Sequence, residues 1–295
     1  ITNVGKDSMT LMKDPRGLLS PFPTNKFIFT NDKDKTAHPK FIGTQVKYAP
    51  SVTTPDSYTS LSPGESLQVM HDLSKAYDFS ELPPGPYNVT GNYTFYQVNK
   101  TGVIWHITPD STSGKRPDIT TTLSTGPLFI NCTDSQEQDL VAAAQVAQGY
   151  AASASLYASS VSGWTSRYST WFGLYSKSRH SLVTSQFSAI SGSNFSTFTY
   201  DCSCTMSNVY AYVYPNDFGR VYLCGAFWQA PMNGTDSKGG TLVHETSHFV
   251  VNAGGTEDYA YGQSSCKLYS LLYPSEAVKN ADSHEYFAEN NPPLA

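Results

Sequence analysis

The stretch that decides the reading of this chain is Gly239-Gly240-Thr241-Leu242-Val243-His244-Glu245-Thr246-Ser247-His248-Phe249, followed by Gly255-Thr256-Glu257-Asp258-Tyr259-Ala260-Tyr261-Gly262. On a helix the four-residue spacing puts His244 and His248 on one face, one turn apart, where two imidazoles can hold one zinc ion with Glu245 beside it. A catalytic zinc needs a third protein ligand and an open position for water. Asp258, Glu257, Glu276 and Glu285 are the candidates, and the Gly254-Gly255 turn favours Asp258 because a short carboxylate can fold back there against the helix end. Glu245 is then placed to act as general base, and the Tyr261 hydroxyl is a candidate donor to a developing oxyanion.

At 295 residues, with 13% aromatic and 15% charged residues, the composition suits a folded protein with a weakly charged surface. Residues 1–127 hold 12 basic and 11 acidic residues, whereas residues 128–295 hold 7 and 13, so the net acidity lies in the second part. Basic residues do not cluster, which argues against a nucleic-acid partner. No apolar run reaches membrane-spanning length. Ile1 is not an initiator methionine, which suits removal of a signal peptide.

Upstream of the motif the pattern divides in two. Residues 1–110 carry short β-rich segments between turns, including Lys26 to Phe29, Phe41 to Tyr48, Leu67 to Met70, Tyr87 to Thr90 and Tyr93 to Val98. They predict an all-β sandwich without a nucleophile or metal cluster, His38 and His71 being isolated. Residues 111–127 are rich in turn formers and read as a connector, with Lys115-Arg116 a candidate processing point and Gly114–Lys115 a candidate self-cleavage bond.

Beyond Cys132 the apolar period changes to that of a helix. Leu140, Ala143, Ala144, Ala147, Tyr150, Ala151, Ala154 and Tyr157 predict a long helix over about 135–159, with further helices around Trp171 to Tyr175 and Arg179 to Ile190. Phe198–Cys204, Val209–Tyr214 and Val221–Cys224 read as strands, and an edge strand among them could bind a substrate backbone. The second part is therefore expected to be a mainly α (α+β), zincin-like metalloprotease domain over 128–295. Sequons at Asn88, Asn92, Asn99, Asn131, Asn194 and Asn233, together with five cysteines, point to a secreted, glycosylated chain with disulfides.

The motifs HExxH and GTxDxxYG, standing here as His244–His248 and Gly255–Gly262, resemble those of the deuterolysin (M35, aspzincin) family, and of its fungal peptidyl-Lys metalloendopeptidases in particular. The blocks Thr170-Trp171-Phe172-Gly173, Ala211–Pro215 and Tyr222–Trp228 are similar to the same group. The resemblance implies one Zn²⁺ per chain on His244, His248 and Asp258, with Glu245 as base and Tyr261 as transition-state donor. It also implies the disulfides Cys132–Cys202 and Cys204–Cys224, and leaves Cys266 either free or cross-linking two chains. It assigns the segment Asn280 to Phe287 to the S1′ pocket, where Asp282 and Glu285, three apart on one helical face, would hold a lysine ammonium, and His284 points away from both. The expected activity is hydrolysis on the amino side of lysine in protein or peptide substrates. Residues 1–110 resemble a propeptide, which implies a zymogen and intramolecular inhibition. A broader, deuterolysin-like specificity and a non-enzymatic binding protein on a protease scaffold are the alternatives.

Overall fold

The structure is a computed structural model and describes residues 1–30, 36–48, 57–82, 87–91, 94–97, 104–106 and 127–295. The Lys115-Arg116 pair, the Gly114–Lys115 bond and the sequons at Asn92 and Asn99 lie outside the described residues. Two compact units are present, one of residues 1–44 and 50–121, the other of residues 45–49 and 122–295.

The first unit is rich in β-strand. Its strands are β1 (Met9–Met12), β2 (Phe27–Thr30), β3 (Lys40–Phe41), β5 (Tyr58–Leu61), β6 (Tyr77–Asp78), β7 (Asn88–Gly91), β8 (Thr94–Tyr96) and β9 (Ile104–His106), whereas β4 (Gln45–Tyr48) belongs to the second unit. They pair as antiparallel ladders, β1 with β5, β2 with β7, β3 with β6 and β8 with β9. Leu11, Leu18, Leu19, Leu61 and Phe95 form one small core, and Phe29, Ala76 and Tyr77 another, with the Tyr77 ring 4.8 Å from that of Phe29. Leu67 to Met70, expected as a strand, is irregular, and only the neighbouring Ser66 bridges to Thr2. His38 is exposed, and His71 Nε2 contacts the Leu18 carbonyl at 3.1 Å.

The second unit is mainly helical. Helix α1 (Asp134–Ser160) begins with a reciprocal capping box between Thr133 and Gln136, which satisfies two helix-end donors. Its small residues Ala143, Ala144, Ala147, Ala151, Ala154 and Ala158 are buried together with Leu140, as the 3.6-residue period requires. Helices α2 (Ser166–Phe172) and α3 (Lys177–Gly192) follow, then α4 (Gly225–Gln229), α5 (Lys238–Ser247), α6 (Gln263–Leu272), α7 (Pro274–Ala277) and α8 (Ala281–Glu289). Trp171, Phe172, Phe187, Phe227, Leu242, Phe249 and Phe287 fill the core between them. Among the described residues no helix is long and apolar enough to cross a membrane.

A five-stranded sheet stands against these helices in the order β10 (Leu128–Ile130), β11 (Thr199–Asp201), β13 (Arg220–Leu223), β12 (Val209–Val213), β4. The disulfide Cys132–Cys202 ties the ends of the parallel strands β10 and β11, and Cys204–Cys224 ties the chain beyond β11 to the end of β13. Strand β4 comes from far upstream in the sequence and pairs antiparallel with β12, Lys47 standing opposite Ala211 and Val46 opposite Tyr212.

Candidate active site

Helix α5 carries the histidines at the centre of the unit. Its N-cap Ser237 accepts from the Gly240 N–H at 2.9 Å and donates to Glu289 Oε1 at 2.8 Å. The Gly239-Gly240 pair lets two other helices approach. A Cβ on Gly239 would stand 2.4 Å from Val146 of α1, and one on Gly240 would stand 2.0 Å from Glu289 of α8. The motif's glycines are therefore packing requirements that bring α5 against both neighbours.

The helix ends at Ser247, with His248 at its C-cap, and the chain turns back at once. Gly255 has φ +78°, and a Cβ there would lie 2.6 Å from the His248 carbonyl. Asn252 Nδ2 donates to the Thr246 carbonyl at 2.7 Å, and the Thr256 N–H donates to Ser247 O at 3.0 Å. These bonds satisfy the open carbonyls of the helix end and fold Asp258 back over the two histidines. The returning loop is also pinned to the start of α8. Asn280 Oδ1 accepts from the N–H groups of Tyr259 and Ala260, both at 2.9 Å, and Glu257 and Asn280 form a parallel bridge.

Three atoms converge as a result. Asp258 Oδ1 lies 3.3 Å from His244 Nε2 and 3.5 Å from His248 Nε2, and all three atoms are buried without a hydrogen bond. Buried polar atoms left unpaired are costly, and a cation among them would satisfy all three. The outer faces of the rings are already engaged. His248 Nδ1 donates to the Thr256 carbonyl at 3.0 Å, and His244 Nδ1 is 2.8 Å from Asp282 Oδ1. Such contacts fix the tautomer that leaves each Nε2 free as a ligand, the arrangement expected of metal-binding histidines.

The electrostatics agree with a cation site. Burial would lower the pKa of His244, but Asp258, Asp282 and Glu285 outweigh it and push it up. Burial would raise the Asp258 carboxyl, yet His248 and His244 hold it well below the usual carboxylate range. Glu245 is fully buried beside them, and burial raises its carboxyl to about 7 against the pull of His244 and His248. A carboxylate poised near neutrality can both take and return a proton.

The other candidates for the third position point elsewhere. Glu276 is exposed and accepts from the Tyr269 hydroxyl, and Glu257 accepts from Gln45 Nε2. Glu285 also approaches His244, at 3.4 Å, but on the Nδ1 side, and His244, Asp282 and Glu285 form a second close trio. Lys47 Nζ sits on Glu285 and the Gly262 N–H donates to Asp282 Oδ2 at 2.7 Å, so this second trio already has an ammonium beside it.

Comparison with known proteins gives the site its relatives. The aspzincin family, described as lysine-specific metallo-endopeptidase, matches residues 157–289. A peptidyl-Lys metalloendopeptidase of Grifola frondosa is 45% identical over 99% of this chain and 87% of that protein. The chain belongs to the aspzincin family of metallo-endopeptidases. A second peptidyl-Lys metalloendopeptidase, from Armillaria mellea, is 44% identical over 99% of the chain and 86% of its own length. The solved structure of a zinc peptidase from Grifola frondosa superposes with a TM-score of 0.55 at 52% identity, covering 56% of this chain and all of that one. As an aspzincin the chain is a metallo-endopeptidase, and its buried cluster of His244, His248 and Asp258 supports a zinc-dependent mechanism.

The Tyr261 ring stacks over His244 at 6.5 Å between centroids, with an interplanar angle of 14°, and its hydroxyl donates to the Val46 carbonyl. Asp282 and Glu285 are fully buried on one side of α8, whereas His284 turns into the core between Asn280 O and Gln186 Oε1, each 3.0 Å away. Cys266 is buried with its thiol 3.5 Å from the Ala260 carbonyl, out of reach of a second chain. The sequon residues Asn88, Asn131, Asn194 and Asn233 are all exposed. Residues missed in the sequence are Lys47, whose ammonium enters the acidic pocket, and Asp236, 3.6 Å from it. Nothing in the local pattern Gln45-Val46-Lys47-Tyr48 marks that lysine as buried, since a β-segment with one charge ordinarily exposes it.

Proposed function

We propose that this aspzincin is a secreted zinc endopeptidase that hydrolyses the peptide bond on the amino side of lysine. The observation that carries the specificity is that the acidic pocket already holds an ammonium. Lys47 Nζ, with its side chain 2% exposed, pairs with Glu285, lies 3.6 Å from Asp236 and stands 4.8 Å from the centre of the Tyr210 ring. Burial would lower its pKa, but Glu285, Asp282, Asp236 and Glu289 keep it well above the ordinary lysine value. A buried pocket of this charge accepts a long cation and leaves its carboxylates unpaired with neutral side chains.

One zinc ion would be held by His244 Nε2, His248 Nε2 and Asp258 Oδ1. When bound, zinc acidifies water and polarises a carbonyl. Glu245 takes the proton of the attacking water and returns it to the departing amine. The Tyr261 hydroxyl donates to the substrate carbonyl oxygen as negative charge grows there. Glu285, with Asp282 and Asp236 near it, holds the lysine ammonium and so sets which bond lies over Glu245.

The extracellular setting is supported by the two disulfides, by the exposed sequon residues, which suit a glycoprotein, and by a 44% identical relative named extracellular protease, from Aeromonas hydrophila. Lys47, far upstream in sequence yet seated on Glu285 in the acidic pocket, supports a zymogen with intramolecular inhibition.

The test is cleavage-site mapping on a denatured protein by the zinc-loaded enzyme, beside the Glu245→Gln variant. Cuts before lysine, a loss of rate by about two to four orders of magnitude in the variant and retained zinc are expected. Cuts without regard to lysine would replace this reading by broad deuterolysin-like specificity. Undiminished activity of the variant would remove Glu245 from its role.

A further inference from the structure

Strand β4 meets the site through its backbone as well as through Lys47. The Val46 N–H donates to Asp258 Oδ2 at 3.0 Å, and the Val46 carbonyl accepts from the Tyr261 hydroxyl. On its other side the strand continues the sheet by pairing antiparallel with β12, Val46 opposite Tyr212. An extended peptide added to a sheet edge takes its affinity from such main-chain bonds and its specificity from a side-chain pocket.

Two independent markers therefore fall on one peptide bond. Tyr261, the candidate oxyanion donor, selects the carbonyl of Val46, and the acidic pocket selects the side chain of the next residue, Lys47. In an enzyme that cuts before lysine, the scissile carbonyl belongs to the residue preceding the pocket-bound lysine. We propose that Gln45–Tyr48 is a built-in substrate strand that holds the Val46–Lys47 bond in the scissile position, so that the chain blocks its own groove by occupying it as substrate would. The proposal rests on the lysine-pocket reading above and goes beyond it by assigning the inhibitory segment, its register and the substrate-binding edge of β12.

Removing Lys47 deletes the anchor, and the apparent affinity of an outside peptide rises as the fraction of open groove rises. The experiment uses the full, zinc-loaded chain carrying Glu245→Gln, so that no peptide is consumed. A fluorescein-tagged peptide with one internal lysine, and its methionine counterpart, are titrated by anisotropy into that chain and into the same chain with Lys47→Ala. The lysine peptide is expected to bind the double variant on the order of tenfold or more tightly than the Lys47 chain. Equal affinity of the lysine peptide for both chains, with the methionine peptide weaker in each, overturns the proposal and leaves lysine specificity standing. Tighter binding of both peptides to the double variant, without preference between them, upholds the occupied groove and overturns the specificity reading.

A second measurement does not depend on the folding of the Lys47 variant. Brief acetylation of the intact Glu245→Gln chain, followed by peptide mass mapping, should modify exposed Lys177 and spare Lys47. Acetylation of Lys47 as fast as Lys177 would overturn the proposal.

Discussion

Asp282 Oδ1 stands 2.8 Å from His244 Nδ1, so a residue assigned from the sequence to the lysine pocket also steadies a candidate metal ligand. Its neighbour on the same helical face, Glu285, is the one whose carboxylate carries the Lys47 ammonium. The two acids are three residues apart, but the first meets the His244 ring and the second the Lys47 ammonium.

That division predicts separable phenotypes. Asp282→Asn should weaken zinc binding by about 10–100-fold, since loss of an outer partner of a ligating histidine has that scale of effect. Glu285→Gln should leave zinc affinity within a few-fold of the parent and reduce the preference for lysine. Competition with a chromophoric chelator measures the first, and cleavage of matched lysine and methionine peptides measures the second. Equal loss of zinc in both variants would refute the division.

Gly240→Ala should destabilise the second unit by about 1–3 kcal/mol, the usual cost of forcing a methyl group into a filled core. The new Cβ would stand 2.0 Å from Glu289 Oε1, whose carboxylate also accepts from Ser237, so the capping contact of α5 would move as well. Chemical denaturation followed by tryptophan fluorescence would show a lower midpoint. An unchanged midpoint would mean that α8 retreats at no cost.

His284 gives the acid limb of stability a definite sign. Burial pushes its pKa down to about 4, and its ring is enclosed by Asn280, Gln186, Phe172 and Phe187. The folded chain thus holds this ring neutral where the unfolded chain, with an ordinary value of about 6.5, protonates it. Stability from this residue is complete above about pH 6.5 and falls as the pH drops toward 4, by up to about 3 kcal/mol. The melting temperature of His284→Gln should accordingly fall less steeply than that of the parent across that window, and parallel slopes would count against the assignment.

The two disulfides should contribute unequally. Cys132–Cys202 closes 70 residues and Cys204–Cys224 closes 20, so the loop-entropy relation gives about 4 kcal/mol for the first and about 3 kcal/mol for the second. Paired Cys→Ser variants, compared by denaturant titration, should follow that order.

Much of the second unit is legible in the sequence because its signals are local. The small-residue stripe of α1 repeats at helical period from Leu140 to Ala158. The four-residue spacing of His244 and His248 puts both on one face, and the glycines at 254 and 255 announce the turn that returns Asp258. Leu67 to Met70 shows the opposite case. Leu67 exchanges backbone hydrogen bonds with Ile1, at 2.8 and 2.9 Å, but the pairing goes no further along the segment, and intrinsic preference alone does not make a strand.

The sequence by itself determined the donor set of the centre: two imidazoles, a glutamate beside them and a returning carboxylate, all set by spacing along one short stretch. Only the tertiary structure separated Asp282 from Glu285, because the His244 ring that one meets and the Lys47 ammonium that the other meets come from other elements of the fold. Only it placed Lys47 in the acidic pocket, more than two hundred residues in sequence from Glu285. A β-segment carries no local record of the sheet edge it will join. Its partner is fixed by complementary main-chain bonds and by a distant buried charge that the fold alone brings to it.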